Sequence, residues 1–155
     1  MLASIDLYKI AENSWTERNL PELNVARGCA GGCHIGGNIY VIGGISKYGN
    51  CLNSVEKLNL ADLARGKAVW KLIKPSQSVF SERSSSVVAP INSEEIVILG
   101  GGLGAEAFKN DIFFFNIGSE KFTKSINLNP MEFIDNGNQS VCFTPNVLTA
   151  IVLDK

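Results

Sequence analysis

The sequence predicts an all-β repeat protein, built from short antiparallel strands gathered four at a time into small sheets. Three observations lead there. The stretch Ile39-Tyr40-Val41-Ile42-Gly43-Gly44 returns 57 residues later as Ile96-Val97-Ile98-Leu99-Gly100-Gly101, and Leu58 and Phe115 in the following segments keep the same spacing. A fixed period of that length marks a repeat architecture. Around each copy, apolar and polar residues alternate with period two, as in strands with one buried face. Helical periodicity is missing: residues 61–68 have no apolar face and allow little more than one turn.

Taken in order, residues 4–9 alternate and predict a strand, Asn13-Ser14 turns the chain, and Trp15-Thr16-Glu17 resumes the extended pattern. Leu20-Pro21-Glu22-Leu23 ends it, because proline cannot donate to a sheet ladder. Residues 27–35 predict a strand whose small side chains, Gly28-Cys29-Ala30-Gly31-Gly32-Cys33, let other backbones approach closely. Gly36-Gly37-Asn38 is a hairpin turn leading into the apolar strand that ends at Gly43-Gly44. After a polar loop over residues 45–53, Ser54-Val55-Glu56-Lys57-Leu58-Asn59 and Trp70-Lys71-Leu72 make a third and a fourth strand.

The plan repeats in residues 83–88, a turn over 90–94, then 96–101, 110–116 and 122–123. The anchor of the third strand lies seven residues before the aromatic of the fourth for Tyr8 and Trp15 and for Phe115 and Phe122. It lies twelve residues before it for Leu58 and Trp70, which reads as an insertion around residues 61–66. Residues 139–143 and 147–153, split by Pro145-Asn146, look like the first two strands of another unit. Four antiparallel strands per unit of roughly 50 residues describe a β-propeller blade, a twisted sheet that buries its faces against its neighbours. The division expected is therefore 1–26, the last two strands of a blade; 27–82, a blade; 83–135, a blade; and 136–155, the first two strands of a blade.

These residues resemble the kelch repeat, whose pattern is an arginine-led first strand, a second strand ending in Gly-Gly, an aromatic in the third and a tryptophan in the fourth. Arg27, Gly43-Gly44 and Trp70 form one set; Arg83, Gly100-Gly101, Phe115 and Phe122 form the next; Tyr8 and Trp15 stand for a preceding one. The resemblance covers nearly the whole chain. Departures are Leu58 in place of an aromatic, Phe122 in place of tryptophan, and a last unit without a diglycine. It implies an incomplete kelch-type propeller of about three blade equivalents. Rings close with roughly four to eight blades, so the expectation is part of a longer chain or a half-ring that pairs into a six-bladed homodimer.

Composition narrows the function. Of 155 residues 45% are hydrophobic, enough for a sizeable core, and 14 basic residues against 15 acidic ones argue against nucleic acid or an anionic membrane as the main partner. Neither an export signal nor an apolar run of membrane-spanning length is present, so a soluble, cytoplasmic protein is expected, its four cysteines reduced thiols.

Several constellations invite chemistry and are better explained by structure. Cys29-x-x-x-Cys33-His34 has zinc-ligand residue types, yet the repeat sets Ser85, Ala89 and Pro90 opposite them, so small strand positions are the simpler reading and no metal is expected. Gly100-Gly101-Gly102-Leu103-Gly104 lacks the Gly-Lys-Ser/Thr of a phosphate loop. Glu94-Glu95 sits at a hairpin tip, and Ser84-Ser85-Ser86 has no histidine or nucleophile elbow beside it. Copper oxidation, which the resemblance raises, needs more than one histidine, and His34 is the sole one.

No cofactor and no catalysis are therefore expected. The function expected is a protein- or peptide-binding module; the resemblance implies cytoskeletal scaffolding or substrate adaptation for a ubiquitin ligase. Candidate contact residues are Arg27 and Arg83 at equivalent strand starts, Ser46, Lys47, Tyr48 and Asn50 after one diglycine, and Glu106, Phe108 and Lys109 after the other. For the arginines, satisfying loop carbonyls competes with gripping a ligand. A truncated product without independent function is the alternative, and an enzyme on the same scaffold would need clustered acids or histidines.

Overall fold

The structure is a computed structural model that describes residues 1–16, 20–75, 79–103, 109 and 111–124, and the backbone of 139–144 and 147–152. A short ribbon comes first, β1 (Tyr8–Lys9) and β2 (Ser14–Trp15), joined by a 3-10 turn over Ile10–Glu12. The expected strand over residues 4–9 shrinks to its last two residues. The chain just before it is engaged elsewhere: Leu2 bridges Arg27, and Ala3 O accepts from Leu23 N at 2.9 Å.

Next come β3 (Arg27–Gly28), β4 (Gly31–Ile35), β5 (Asn38–Ile42), β6 (Ile45–Ser46) and β7 (Val55–Asn59). A single helical turn, α1 (Leu60–Ala64), follows, capped where the Asn59 side chain accepts from Asp62 N at 3.0 Å, and then β8 (Lys71–Ile73). The first complete blade runs β4-β5-β7-β8, each strand antiparallel to the next, while β3 and β6 pair as a ribbon at its end.

The single strand expected over residues 27–35 is thus two. Cys29 breaks it with a left-handed φ of 51°, and Ser85, its repeat equivalent, breaks the next blade with a φ of 55°. Both non-glycine residues accept that backbone where Ser85 N donates to Cys29 O at 2.8 Å, locking one break against the other.

The second complete blade runs β9 (Val87–Pro90), β10 (Glu95–Leu99), β11 (Ile112–Asn116) and β12 (Lys121–Lys124) in that order. A last ribbon pairs β13 (Gln139–Thr144) with β14 (Val147–Val152). The described residues close no ring.

Anchor spacings become pairings. Tyr8 faces Trp15 and Phe115 faces Phe122 in register, and the β7–β8 register, which sets Lys57 against Lys71, brings Leu58 opposite Trp70 one step further on. The core lies between the two complete blades: Tyr40, Ile42 and Val55 of the first meet Ile96, Ile98, Phe113 and Phe115 of the second. Small residues set the separation there. A Cβ on Gly31 would overlap the Val88 side chain and lie 3.1 Å from Ser86 O. At the diglycine, Gly44 N donates to Arg83 O at 2.9 Å, and a Cβ on Gly43 would come within 2.6 Å of that same oxygen.

Candidate functional site

Strand ends with long connections gather at one end of both blades. Loop 46–50 and Leu103 lie there, and Arg27 and Arg83 enter the blades from the same side. This end is the candidate contact face, and the two arginines hold it together.

Arg27 uses every donor it has. Nε donates to Val25 O at 3.3 Å, Nη1 to Gly43 O at 2.8 Å and Ser54 O at 3.3 Å, and Nη2 to Ser54 Oγ at 3.2 Å and Glu56 Oε1 at 2.7 Å. Arg83 repeats the scheme: Nε to Ser81 O at 3.1 Å, Nη1 to Gly100 O at 2.9 Å and Asp111 Oδ1 at 2.6 Å, Nη2 to Ser81 Oγ at 3.0 Å and Asp111 Oδ2 at 3.2 Å. A planar guanidinium carries five N–H groups in a fixed fork, so the supply of donors is exhausted in both.

Each arginine therefore joins the segment leading into its blade to the carbonyl of the first glycine in the diglycine and to a carboxylate at the start of the third strand. Arg83 also lies between two aromatic faces, 4.8 Å from the Phe80 ring and 4.7 Å from the Phe113 ring. Glu56 is fully buried and satisfied: besides Arg27 it accepts from Asn24 N at 2.7 Å, Asn24 Nδ2 at 3.0 Å and Val25 N at 3.0 Å. Two ion pairs, one buried on both sides and the other with its arginine buried and its carboxylate 17% exposed, brace the face from within.

Of the expected contact residues, the arginines thus sit inside the blades with their guanidinium groups turned away from any partner, and satisfying loop carbonyls is what the geometry carries. Ser46 is also buried, its Oγ accepting from Tyr48 N at 3.3 Å. Lys109 is partly covered, Nζ donating to Ser81 Oγ at 2.9 Å. Lys47, Tyr48 and Asn50 are exposed together at the tip of a loop closed by Ser46 N to Asn50 O at 2.8 Å and Gly49 N to Ser46 O at 2.9 Å. Tyr48 is 78% exposed, with Lys47 Nζ 5.0 Å from its ring centroid. Glu106 and Phe108 lie outside the described residues.

Cys33 and His34 are neighbours on β4 and face opposite sides of the sheet, and Cys29 lies before the strand, so the three side chains do not converge. No group of three or more His, Cys, Asp or Glu side chains suited to a metal occurs among the described residues. Nor is any helix among them long and apolar enough to cross a membrane.

Sequence reasoning missed the acids that complete the braces. Glu56 and Asp111 stand 29 and 28 residues from their arginines, and their only signal was a carboxylate near the start of the third strand in both repeats. Missed as well was a charged cluster in which Glu120 accepts from Lys71 Nζ at 2.7 Å and lies 4.0 Å from Lys57 Nζ.

In comparison with known protein families, residues 26–64 fit the family model of the Kelch motif. That segment holds Arg27, both glycines of the first diglycine, Glu56 and Leu58. No curated protein matches the chain.

Proposed function

We propose that this kelch-repeat chain, an incomplete propeller, is a non-catalytic module that holds a protein or peptide through the loops following its diglycines. The observation that carries this reading is loop 46–50, which offers Lys47, Tyr48 and Asn50 to solvent from a base made rigid by the Arg27–Glu56 pair. An exposed aromatic on a braced loop is an economical anchor, since little ordering remains for the partner to impose. Glu106, Phe108 and Lys109 are proposed to extend the same face. Cytoplasmic residence and a role as scaffold or substrate adaptor go with this reading, supported by free thiols at Cys29, Cys33 and Cys51.

The test is site-specific photocrosslinking. A crosslinker at position 48 should capture a partner that the same reagent at Ile91, at the opposite end of the blades, does not. Lys47→Ala with Asn50→Ala, in the protein carrying the crosslinker at position 48, should abolish that capture with the melting temperature unchanged. Equal capture from both ends would defeat the reading.

A second reading concerns assembly and is favoured by the exposed Tyr8 and Trp15 on β1 and β2 and Ile10 in the turn between them. Two strands of the third-and-fourth kind there, and two of the first-and-second kind in β13–β14, are complementary halves of a blade. A second copy or further blades of the same polypeptide would join them. Light scattering on the 155-residue chain separates the cases: a stable dimer supports self-pairing and a monomer rejects it.

A further inference from the structure

A row of side chains crosses the middle of the first blade on one face. Cys33 stands opposite Tyr40, Tyr40 opposite Lys57, and Lys57 opposite Lys71, in the registers of β4–β5, β5–β7 and β7–β8. Residues directly opposite in antiparallel strands share a face, so the four form one line. The second blade lies over it: the Phe115 ring is 6.0 Å from that of Tyr40, and the turn between β11 and β12 brings Glu120 onto the lysines.

Three features of this contact are unusual together. Both carboxylate oxygens of Glu120 accept from Lys71 Nζ at 2.7 Å, with Lys57 as a second ammonium 4.0 Å away, so one acid answers two cations. Glu120 adopts a left-handed φ of 54°, a conformation costly for a residue with a Cβ and open to glycine. The Tyr40 hydroxyl, wholly buried within the same row, has no hydrogen-bond partner, although such groups are nearly always paired.

We propose that Lys57, Lys71 and the Tyr40 hydroxyl form a carboxylate-binding site between the two blades, and that Glu120 is its resident ligand. Glu120 leaves the phenol O–H unused. A carboxylate from outside that displaces it and reaches deeper gains that donor as well as both ammonium groups. Held this way, the site is closed by the chain itself and opens only to a competing acid, either a small free carboxylate or an acidic side chain of a peptide. The burial-led rise of the Tyr40 phenol, to which the Glu120 charge adds, agrees with an acid standing near the hydroxyl.

The experiment is chemical rescue. Glu120→Gly removes the resident carboxylate and suits the left-handed backbone, so the variant keeps its turn. Its melting temperature is followed while acetate replaces chloride at constant ionic strength, and again with an end-blocked tetraglutamate. Acetate should raise it in a saturable way, by about 4 °C at tenfold excess over the dissociation constant. The rise should vanish in Glu120→Gly/Lys71→Met and weaken in Glu120→Gly/Tyr40→Phe. A rise with both probes assigns the site to acidic side chains of peptides, and a rise with acetate alone assigns it to small free acids. Equal melting in acetate and chloride, with no response to tetraglutamate, overturns the proposal. So does a rise that survives loss of Lys71.

Discussion

Arg27 Nη2 donates to Glu56 Oε1 at 2.7 Å, and neither side chain is more than 1% exposed. Around that bond the carboxylate holds the backbone N–H groups of Asn24 and Val25, while the guanidinium holds Gly43 O and Ser54 O. One ion pair thereby ties the incoming loop to two strands. Coulomb attraction alone rarely offsets the desolvation of two buried charges; the surrounding hydrogen bonds supply the difference.

Breaking this pair from either side should be costly. Glu56→Ala leaves a buried guanidinium without its counter-charge and the Asn24 and Val25 N–H groups without their acceptor, and Arg27→Ala leaves a buried carboxylate with two amide donors and one side-chain amide. Each should lose about 3–5 kcal/mol, read from urea unfolding. Arg27→Met/Glu56→Met removes both charges and should fall well short of the sum of the single losses. Additive losses would show that the two side chains act independently.

Arg83 makes a different test possible, because its partner is a fork and its faces are covered. Lysine keeps the charge but cannot bind both oxygens of Asp111, nor lie flat between Phe80 and Phe113. Arg83→Lys should therefore cost about 2 kcal/mol or more, in line with the loss of charge-assisted hydrogen bonds. A neutral substitution would mean that charge alone is required.

Much of this arrangement was legible in the sequence because it depends on local chemistry. Period-two alternation marks Val55 to Asn59, a diglycine marks where Ile42 stops, and spacing alone puts Tyr8 against Trp15 and Phe115 against Phe122. What depends on distant partners was hidden. Nothing near Arg27 says that a carboxylate 29 residues on will turn it inward. Nor does Ser4-Ile5-Asp6-Leu7 reveal that Leu2 and Ala3 attach to residues 23–27 and draw the segment out of its strand. Cys29 reads as a small strand residue, and its left-handed break follows from the hydrogen bond with Ser85, one repeat away.

Blade separation depends on the absence of a side chain at Gly31. Its Cβ would overlap Val88 Cγ2, so Gly31→Ala should destabilise by about 1–3 kcal/mol through overpacking. Val88→Ala opens a cavity by itself, but combined with Gly31→Ala the two changes should partly compensate. Relief will be incomplete, since Val88 Cβ would still lie 2.9 Å from the new methyl. Thermal melts of the four proteins in the cycle decide it: strictly additive losses would show that Val88 is not what resists a side chain at position 31.

Alkaline pH should unfasten the same interface, and the direction follows from two neighbouring groups. Burial pushes the Cys33 thiol from 9.0 up to about 12, and burial, then Glu120 and Cys33, push the Tyr40 phenol from 10.0 up to about 12. Both are acids kept neutral by the fold and ionised more readily in the unfolded chain. Their contribution to stability is present in full below about pH 9 and is lost as pH rises toward 12, because the unfolded chain releases those protons first. Stability measured by urea titration should stay level to about pH 9 and then fall. Tyr40→Phe should shrink that fall and, by removing an unpaired buried hydroxyl, add about 1 kcal/mol at neutral pH. Labelling gives an independent check: at pH 8 iodoacetamide should modify the exposed Cys29 well before Cys33. Equal labelling rates, or an alkaline limb identical in Tyr40→Phe, would place the cause of alkaline unfolding elsewhere in the chain.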